Sequence, residues 1–265
     1  RIVLSPGLCP TESPLAAFLD RARAGGVEVL GEIELFARAV ADLEEREGYR
    51  PKILAVTGTN GKTTVTAMAR RLAEACGFSA TAAGNISPPA LTALMDALDA
   101  GSLPDVWVLE LSSFQLESTG TLRPDAAAVL NVTQDHLDWH GSMEAYARAK
   151  ARLLESAAIA VVNRDDPLVL AMVEGLGAER VRSFGRGVPE YEGDCGLEES
   201  HGVEWLAAVP LAEVEPRATG ARRKRNDPPP ARRTGRAQRL MPTEALRVRG
   251  RHNALNALAA MALVQ

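Results

Sequence analysis

Cysteine is scarce in this sequence, and no long apolar run is present. The three cysteines (Cys9, Cys76 and Cys195) are scattered, odd in number and never paired as CxxC. That argues against a disulfide framework or a zinc ribbon and fits a reducing compartment better. A membrane helix needs about 18 or more consecutive apolar residues. The longest uncharged run, residues 75–95, is broken by Asn85, Pro88 and Pro89. No signal-peptide pattern opens the chain, but it begins with Arg1 rather than Met, inside a strand-like run. The natural amino terminus is therefore expected to be missing, and the missing leader carries little weight. No internal repeat is present. Hydrophobic residues make up 46% and charged residues 24% of the 265 positions, which excludes wholesale disorder. A chain this long buries about three-quarters of its unfolded surface and needs no covalent staple.

The net charge of −4 hides an asymmetry. Residues 217–239 carry nine basic side chains (Arg217, Arg222, Arg223, Lys224, Arg225, Arg232, Arg233, Arg236 and Arg239) against the single Asp227. The same stretch holds Pro228, Pro229 and Pro230 and no aromatic residue. Such a composition offers little apolar surface to offset ordering entropy, so a disordered basic insertion, about 212–242, is expected. Basic runs also bind nucleic acid. Without interleaved aromatics for base stacking, a nucleic-acid partner is not the expectation.

Elsewhere strand and helix signals alternate. Short apolar runs at 53–56, 79–83, 106–111, 126–132 and 159–163 read as buried strands. Helical patterns fall at 62–76, 90–100, 143–156 and 167–174. Before them come a strand at 1–4, a helix at 14–24 capped by Ser13, a strand at 27–30 and a helix at 33–47. After residue 181 the alternation fades into short β segments at 188–215, a strand at 245–248 and a helix at 253–264. The fold class is α/β: a P-loop-type, mostly parallel sheet flanked by helices, with a small β-rich appendage and the basic insertion. In such sheets ligands gather beyond the carboxyl ends of the strands.

One cluster there is specific. The run at 53–56 leads into Thr57-Gly58-Thr59-Asn60-Gly61-Lys62-Thr63-Thr64 and then a helix. Glycines let successive N–H groups turn inward and the helix start adds positive charge. Lys62 would reach the β/γ-phosphates and the Thr63 hydroxyl a Mg²⁺ ion. Against GxxxxGK[ST], Val56 stands where the first glycine belongs.

This loop resembles the ATP loop of the Mur ligases, the amide-forming enzymes of peptidoglycan precursor synthesis, and that of folylpolyglutamate synthases. Further segments resemble the D-glutamate-adding branch of the Mur family. They are Gly84-Asn85-Ile86, Leu109-Glu110-Leu111-Ser112-Ser113-Phe114-Gln115-Leu116-Glu117, Asn131-Val132-Thr133-Gln134-Asp135-His136-Leu137-Asp138, Tyr146-Ala147-Arg148-Ala149-Lys150 and Gly250-Arg251-His252-Asn253-Ala254-Leu255-Asn256-Ala257. Ser87 stands where that branch usually has glycine, and Gln134 where it usually has glutamate.

The resemblance implies roles residue by residue. ATP contacts fall to Gly58, Thr59, Asn60, Gly61, Lys62, Thr63 and Thr64, with adenine near Asn253 and Asn256. Two Mg²⁺ sites are implied, one at Thr63 and Glu110 and one at His136 and a carbamylated Lys150. Lys62, His136 and Lys150 form the catalytic set. Ser5, Gly7, Asn85, Ser112 and Gln115 would contact the muramoyl substrate, Ser112 and Gln115 from an exposed turn. Taken alone, several of these residues have ordinary readings. A single histidine is more often structural, a helix lysine is usually a surface residue, and Asn253 could be a simple N-cap. A carboxylate such as Glu110 at the end of an apolar strand is costly unless paired or metal-bound.

The expected protein is thus a ligase that joins D-glutamate to UDP-N-acetylmuramoyl-L-alanine through an acyl phosphate. Its partners are those small molecules alone, its location cytoplasmic, its state monomeric, with no membrane span. Residues 1–50 are expected to be the tail of an amino-terminal UDP-substrate domain with its linker, and 51–265 the central ATP-binding domain. Without the family's carboxyl-terminal domain, this piece should bind nucleotide weakly and not ligate. Two alternatives remain open. One is another Mur or folylpolyglutamate-type ligase; the other is a P-loop switch or nucleic-acid-stimulated ATPase that uses the basic segment.

Overall fold

A computed structural model describes residues 1–10, 12–135, 137–212 and 231–265. The elements follow in chain order as β1 (Ile2–Val3), α1 (Leu15–Ala24), β2 (Val29–Leu30), α2 (Glu32–Glu47), β3 (Lys52–Thr57), α3 (Lys62–Ala75), β4 (Ala80–Gly84) and α4 (Ala90–Asp99). Then come β5 (Val106–Glu110), α5 (Ser113–Glu117), β6 (Ala126–Val129), α6 (Leu137–His140), α7 (Met143–Ser156), β7 (Ile159–Asn163) and α8 (Pro167–Ala171). The last are β8 (Val181–Phe184), β9 (Cys195–Ser200), β10 (Val203–Ala208), β11 (Gln238–Pro242) and α9 (Arg251–Val264).

The main sheet runs β11-β10-β9-β8-β7-β6-β3-β5-β4. Pairing is parallel from β4 to β9 and antiparallel across β9, β10 and β11. The parallel strands are apolar on both faces, and alternate residues feed two cores. Ile53, Ala55, Trp107 and Leu109 face one, with Phe36 of α2, Leu94 of α4 and Leu153 of α7. Leu54, Val56, Val106 and Val108 face the other, with Val65 of α3 and Leu258 of α9. That period of two across buried parallel strands is what places helices on both sides. At its centre Trp107 is fully buried. Its ring meets Phe36 edge-on at 5.3 Å, and its Nε1 donates to the Tyr49 hydroxyl at 2.9 Å. β1 and β2 form a separate two-stranded parallel sheet.

α2 carries a buried acid, Glu34, that fastens the turn after α5. Its carboxylate accepts from the Gly120 N–H at 2.8 Å, the Thr121 N–H at 2.9 Å, the Thr121 hydroxyl at 3.0 Å and Arg38 Nε at 2.7 Å. Burial alone would raise this carboxyl; the donors outweigh it and hold it below the ordinary range.

Four expectations need correction. The late strand is Gln238–Pro242, not 245–248, where a short 3₁₀ turn ends and irregular chain follows. Hairpin pairing with β10 decides this, since it supplies the ladder bonds that a charged sequence does not advertise. For the same reason the carboxyl side of the basic insertion is folded: Arg239 pairs with Glu198 at 2.6 Å, and Arg232 pairs with buried Asp194 beneath the Tyr191 ring. Residues 213–230, most of that insertion, lie outside the described residues. Ser13 does not cap α1, whose N-cap position is Pro14. Finally, β8, α5 and α6 had no counterpart among the sequence elements, being only four or five residues long. Among the described residues no helix is long and apolar enough to cross a membrane.

Trp107→Ala is expected to lower unfolding stability of the full-length protein by about 3–5 kcal/mol, the cost of an aromatic cavity. Tyr49→Phe should cost about 2 kcal/mol, because it keeps the ring but removes both hydrogen bonds of the hydroxyl, the one accepted from Trp107 Nε1 and the one donated to the Pro104 carbonyl. Urea titration of both variants checks the difference.

Candidate nucleotide and metal site

The polar clusters meet beyond the carboxyl ends of β3, β4, β5, β6 and β7. β3 passes through Gly58, Thr59 and Asn60 to Gly61, the N-cap of α3, at φ +87°. A β-carbon there would stand 2.6 Å from Asn256 Oδ1, so glycine is required both for the turn and for the approach of α9. No side chain caps α3, so its first N–H groups are available to an anion. The loop is fixed from β6's side. Asn131 exchanges two hydrogen bonds with the Asn60 backbone, at 2.8 and 3.0 Å. The Thr59 N–H donates to the Asn131 carbonyl at 3.0 Å, and the Thr59 hydroxyl meets the Tyr146 hydroxyl at 3.2 Å. Lys62 Nζ folds back onto the Gly58 and Thr59 carbonyls, both at 3.0 Å. Thr63 is exposed in the first turn, and beside Thr64 it lines an apolar groove between α3 and α9.

Glu110, at the end of β5, sits in register with Val56 and Gly84 and is 2% exposed. Its Oε1 accepts from Asn85 Nδ2 at 3.2 Å, while Oε2 is buried without a hydrogen-bond partner. Gly84 permits this arrangement: at φ +113°, a β-carbon there would lie 2.3 Å from the Glu110 carbonyl. A desolvated carboxylate oxygen with no donor is costly. It is also a hard oxygen ligand, so the residues present fit a divalent cation. Among the described residues no group of three His, Cys, Asp or Glu side chains gathers as a metal cluster. A cation here would therefore take its remaining ligands from hydroxyl, phosphate or water oxygens. His136 lies outside the described residues.

Lys150 is not a surface lysine. On α7 it is 1% exposed, with Nζ 3.2 Å from the Gly58 carbonyl it donates to and 4.4 Å from the Tyr146 ring centroid. Burial, reinforced by the charge of Lys62 and opposed by Asp135, pulls its ammonium down to about 7. A comparable fraction of neutral amine is therefore present near neutral pH.

The other expected residues divide. Ser112 and Gln115 are not on an exposed turn. They form the capping box of α5: the Ser112 hydroxyl accepts from the Gln115 N–H at 3.2 Å, and Gln115 Oε1 accepts from the Ser112 N–H at 2.9 Å. Capping satisfies both residues locally, which leaves Gln115 6% exposed. Ser5 and Gly7 sit in the exposed turn after β1, on the small sheet. Asn253 is not an N-cap; Gly250 holds that position, and Asn253 Nδ2 donates to the Arg249 carbonyl at 2.7 Å. Asn256 Nδ2 in turn donates to Asn253 Oδ1 at 3.2 Å.

Asn256 and Gly61 line a small cavity of about 140 Å³ with Asn60, Asn131, Asn163 and Phe184. Asn131, Asn163 and Phe184 were missed by sequence reasoning. Each stands at or just past the carboxyl end of a parallel strand, and that position is the signal that could have found them.

The chain matches the Mur ligase middle domain over residues 56–214. Over its whole length it is 66% identical to the UDP-N-acetylmuramoylalanine–D-glutamate ligase of Bordetella pertussis, covering 52% of that protein. It is 51% identical, over 99% of its length, to the protein of the same name from Ralstonia nicotianae, again covering 52%. The chain thus spans about half the length of the curated relatives it matches. A solved UDP-N-acetylmuramoyl-L-alanyl-D-glutamate–2,6-diaminopimelate ligase shares its fold, with a TM-score of 0.58 at 24% identity, over 95% of this chain and 54% of that one.

The low-lying ammonium of Lys150 has a pH consequence. Because folding depresses it from 10.5 to about 7, its penalty is full below pH 7 and fades as pH rises toward 10.5. In carbon-dioxide-free buffer, this group should add up to about 1.4 kcal/mol of stability per pH unit between 7 and 10. Lys150→Met should lose that slope, as read by denaturant unfolding of parent and variant at pH 6, 8 and 10.

Proposed function

The chain belongs to the Mur ligase family, and from that premise we propose that it is the ATP-holding part of a UDP-N-acetylmuramoyl-L-alanine:D-glutamate ligase. The observation that carries the reading is the buried, partnerless Oε2 of Glu110 beside an uncapped, glycine-turned helix start. In the reaction, the carboxylate of the muramoyl substrate attacks the terminal phosphoryl group of ATP and ADP leaves. The amine of D-glutamate then attacks the acyl phosphate, and phosphate leaves. Residues 1–50 belong in this reading to the end of a preceding substrate domain and 51–265 to the ATP domain, acting as a monomer in the cytoplasm.

The protein's own share is positioning and charge. The N–H groups of Gly61 to Thr64 receive phosphate oxygens, and Lys62 exchanges its two loop carbonyls for them. The cavity beside Asn256 receives the adenine end. Thr63 and Glu110 would hold one divalent ion, and His136 with Lys150 a second. Such ions, when bound, offset the charge that builds on the transferring phosphoryl group. For Lys150 the reading requires its neutral amine to add carbon dioxide and release a proton, which replaces a buried cation with an anionic oxygen ligand. Asn85 and Ser112 face the muramoyl substrate. Gln115 contributes through the capping box that sets Ser112.

Full-length protein should release ADP and phosphate only when UDP-N-acetylmuramoyl-L-alanine and D-glutamate are both present. Lys62→Ala should lower kcat by about 10²–10³-fold, the scale of a lost transition-state donor. Equal turnover with another amino acid, or with Lys62→Ala, would count against the proposal. Mass spectrometry of native protein should find Lys150 heavier by one carbon dioxide in bicarbonate buffer.

A further inference from the structure

α6, only four residues long, lies between the expected metal loop and α7, and its last residue makes a contact that the proposed chemistry does not use. His140 Nε2 stands 2.8 Å from the Ser113 hydroxyl. Ser113 is the first residue of α5, directly after Ser112, and is 2% exposed. A hydroxyl so enclosed cannot reach substrate, so the pair is not a nucleophile and its base. The His140 ring stacks on Phe114 at 5.7 Å and 20° and packs against Tyr146 at 5.1 Å. Tyr146 is itself buried, with its hydroxyl on Thr59 and its ring under Lys150. One imidazole therefore touches the turn that presents Ser112 and the tyrosine that braces the phosphate loop.

We propose that His140 is a positioning residue that holds the α5 turn in fixed relation to the phosphate loop, through its hydrogen bond to Ser113 and its packing on Tyr146. The proposal rests on the reading that Ser112 faces the muramoyl substrate. Its two contacts are chemically separable. Phenylalanine at 140 keeps a ring against Tyr146 and Phe114 and removes the bond to Ser113. Ser113→Ala removes the same bond from the other side. The Thr59–Tyr146 contact stays in place in both.

The test is steady-state kinetics of the full-length enzyme, with the KM values for UDP-N-acetylmuramoyl-L-alanine and for ATP measured separately. H140F and S113A should each raise the muramoyl-substrate KM about tenfold, the scale of one buried hydrogen bond. The double variant should be no worse than either single one, because both remove the same interaction. KM for ATP should stay within about twofold throughout, which also reports an intact fold. H140Q, which restores a hydrogen-bonding amide, should recover most of the loss. Parental muramoyl-substrate KM in H140F and S113A, or losses that multiply in the double variant, would overturn the inference while the ligase reading stands. A parent enzyme that does not ligate with this substrate would overturn both.

Discussion

A carboxylate oxygen stripped of water and given no donor is the constraint around which this end of the molecule is arranged. Glu110 is placed by the register of three parallel strands, β3, β5 and β4, and is enclosed because Gly84 lets β4's end close over its backbone. Asn85 satisfies one oxygen. The other is buried with no hydrogen-bond partner. A fold tolerates such a group when binding of a cation repays the desolvation, and the same burial makes the oxygen a stronger ligand than an exposed one.

Lys150 presents the complementary problem. It is a cation driven under the same loop, near Lys62, where both burial and like charge disfavour its protonated form. This end of the sheet thus holds an acid with one oxygen lacking a donor and a base discouraged from charging. Lys150 lies against a glycine loop whose hydrogen bonds are anchored by Asn131 and Tyr146, and Glu110 ends the strand beside the one that leads into it. Rigid support under a loop with an uncapped helix start is what electrostatic preorganisation requires, since no reorientation is then needed when negative charge arrives.

Much of this was legible in the sequence because it rests on local patterns. Alternating apolar runs gave the parallel sheet, and the glycines and lysine of the loop follow a strand as phosphate binding demands. The cost of Glu110 at the end of Val106–Leu109 pointed to a ligand role. What escaped rests on long-range pairing or on short elements. The capping box of α5 hides Ser112 and Gln115 in a helix too brief to show a period. β11 depends on β10 for its ladder and reads alone as part of a basic, proline-containing run. His140 and Tyr146 are ordinary residues in the sequence; only tertiary packing sets them between the α5 turn and the glycine loop.

Divalent-ion binding tests the central claim most directly. Mn²⁺ titration of the full-length protein with ADP present, followed by electron paramagnetic resonance, measures the ion's affinity at this site. The account predicts that Glu110→Gln weakens the ion by about tenfold or more, the scale of a lost ligand or its immediate support. An unchanged Mn²⁺ affinity in Glu110→Gln would contradict it.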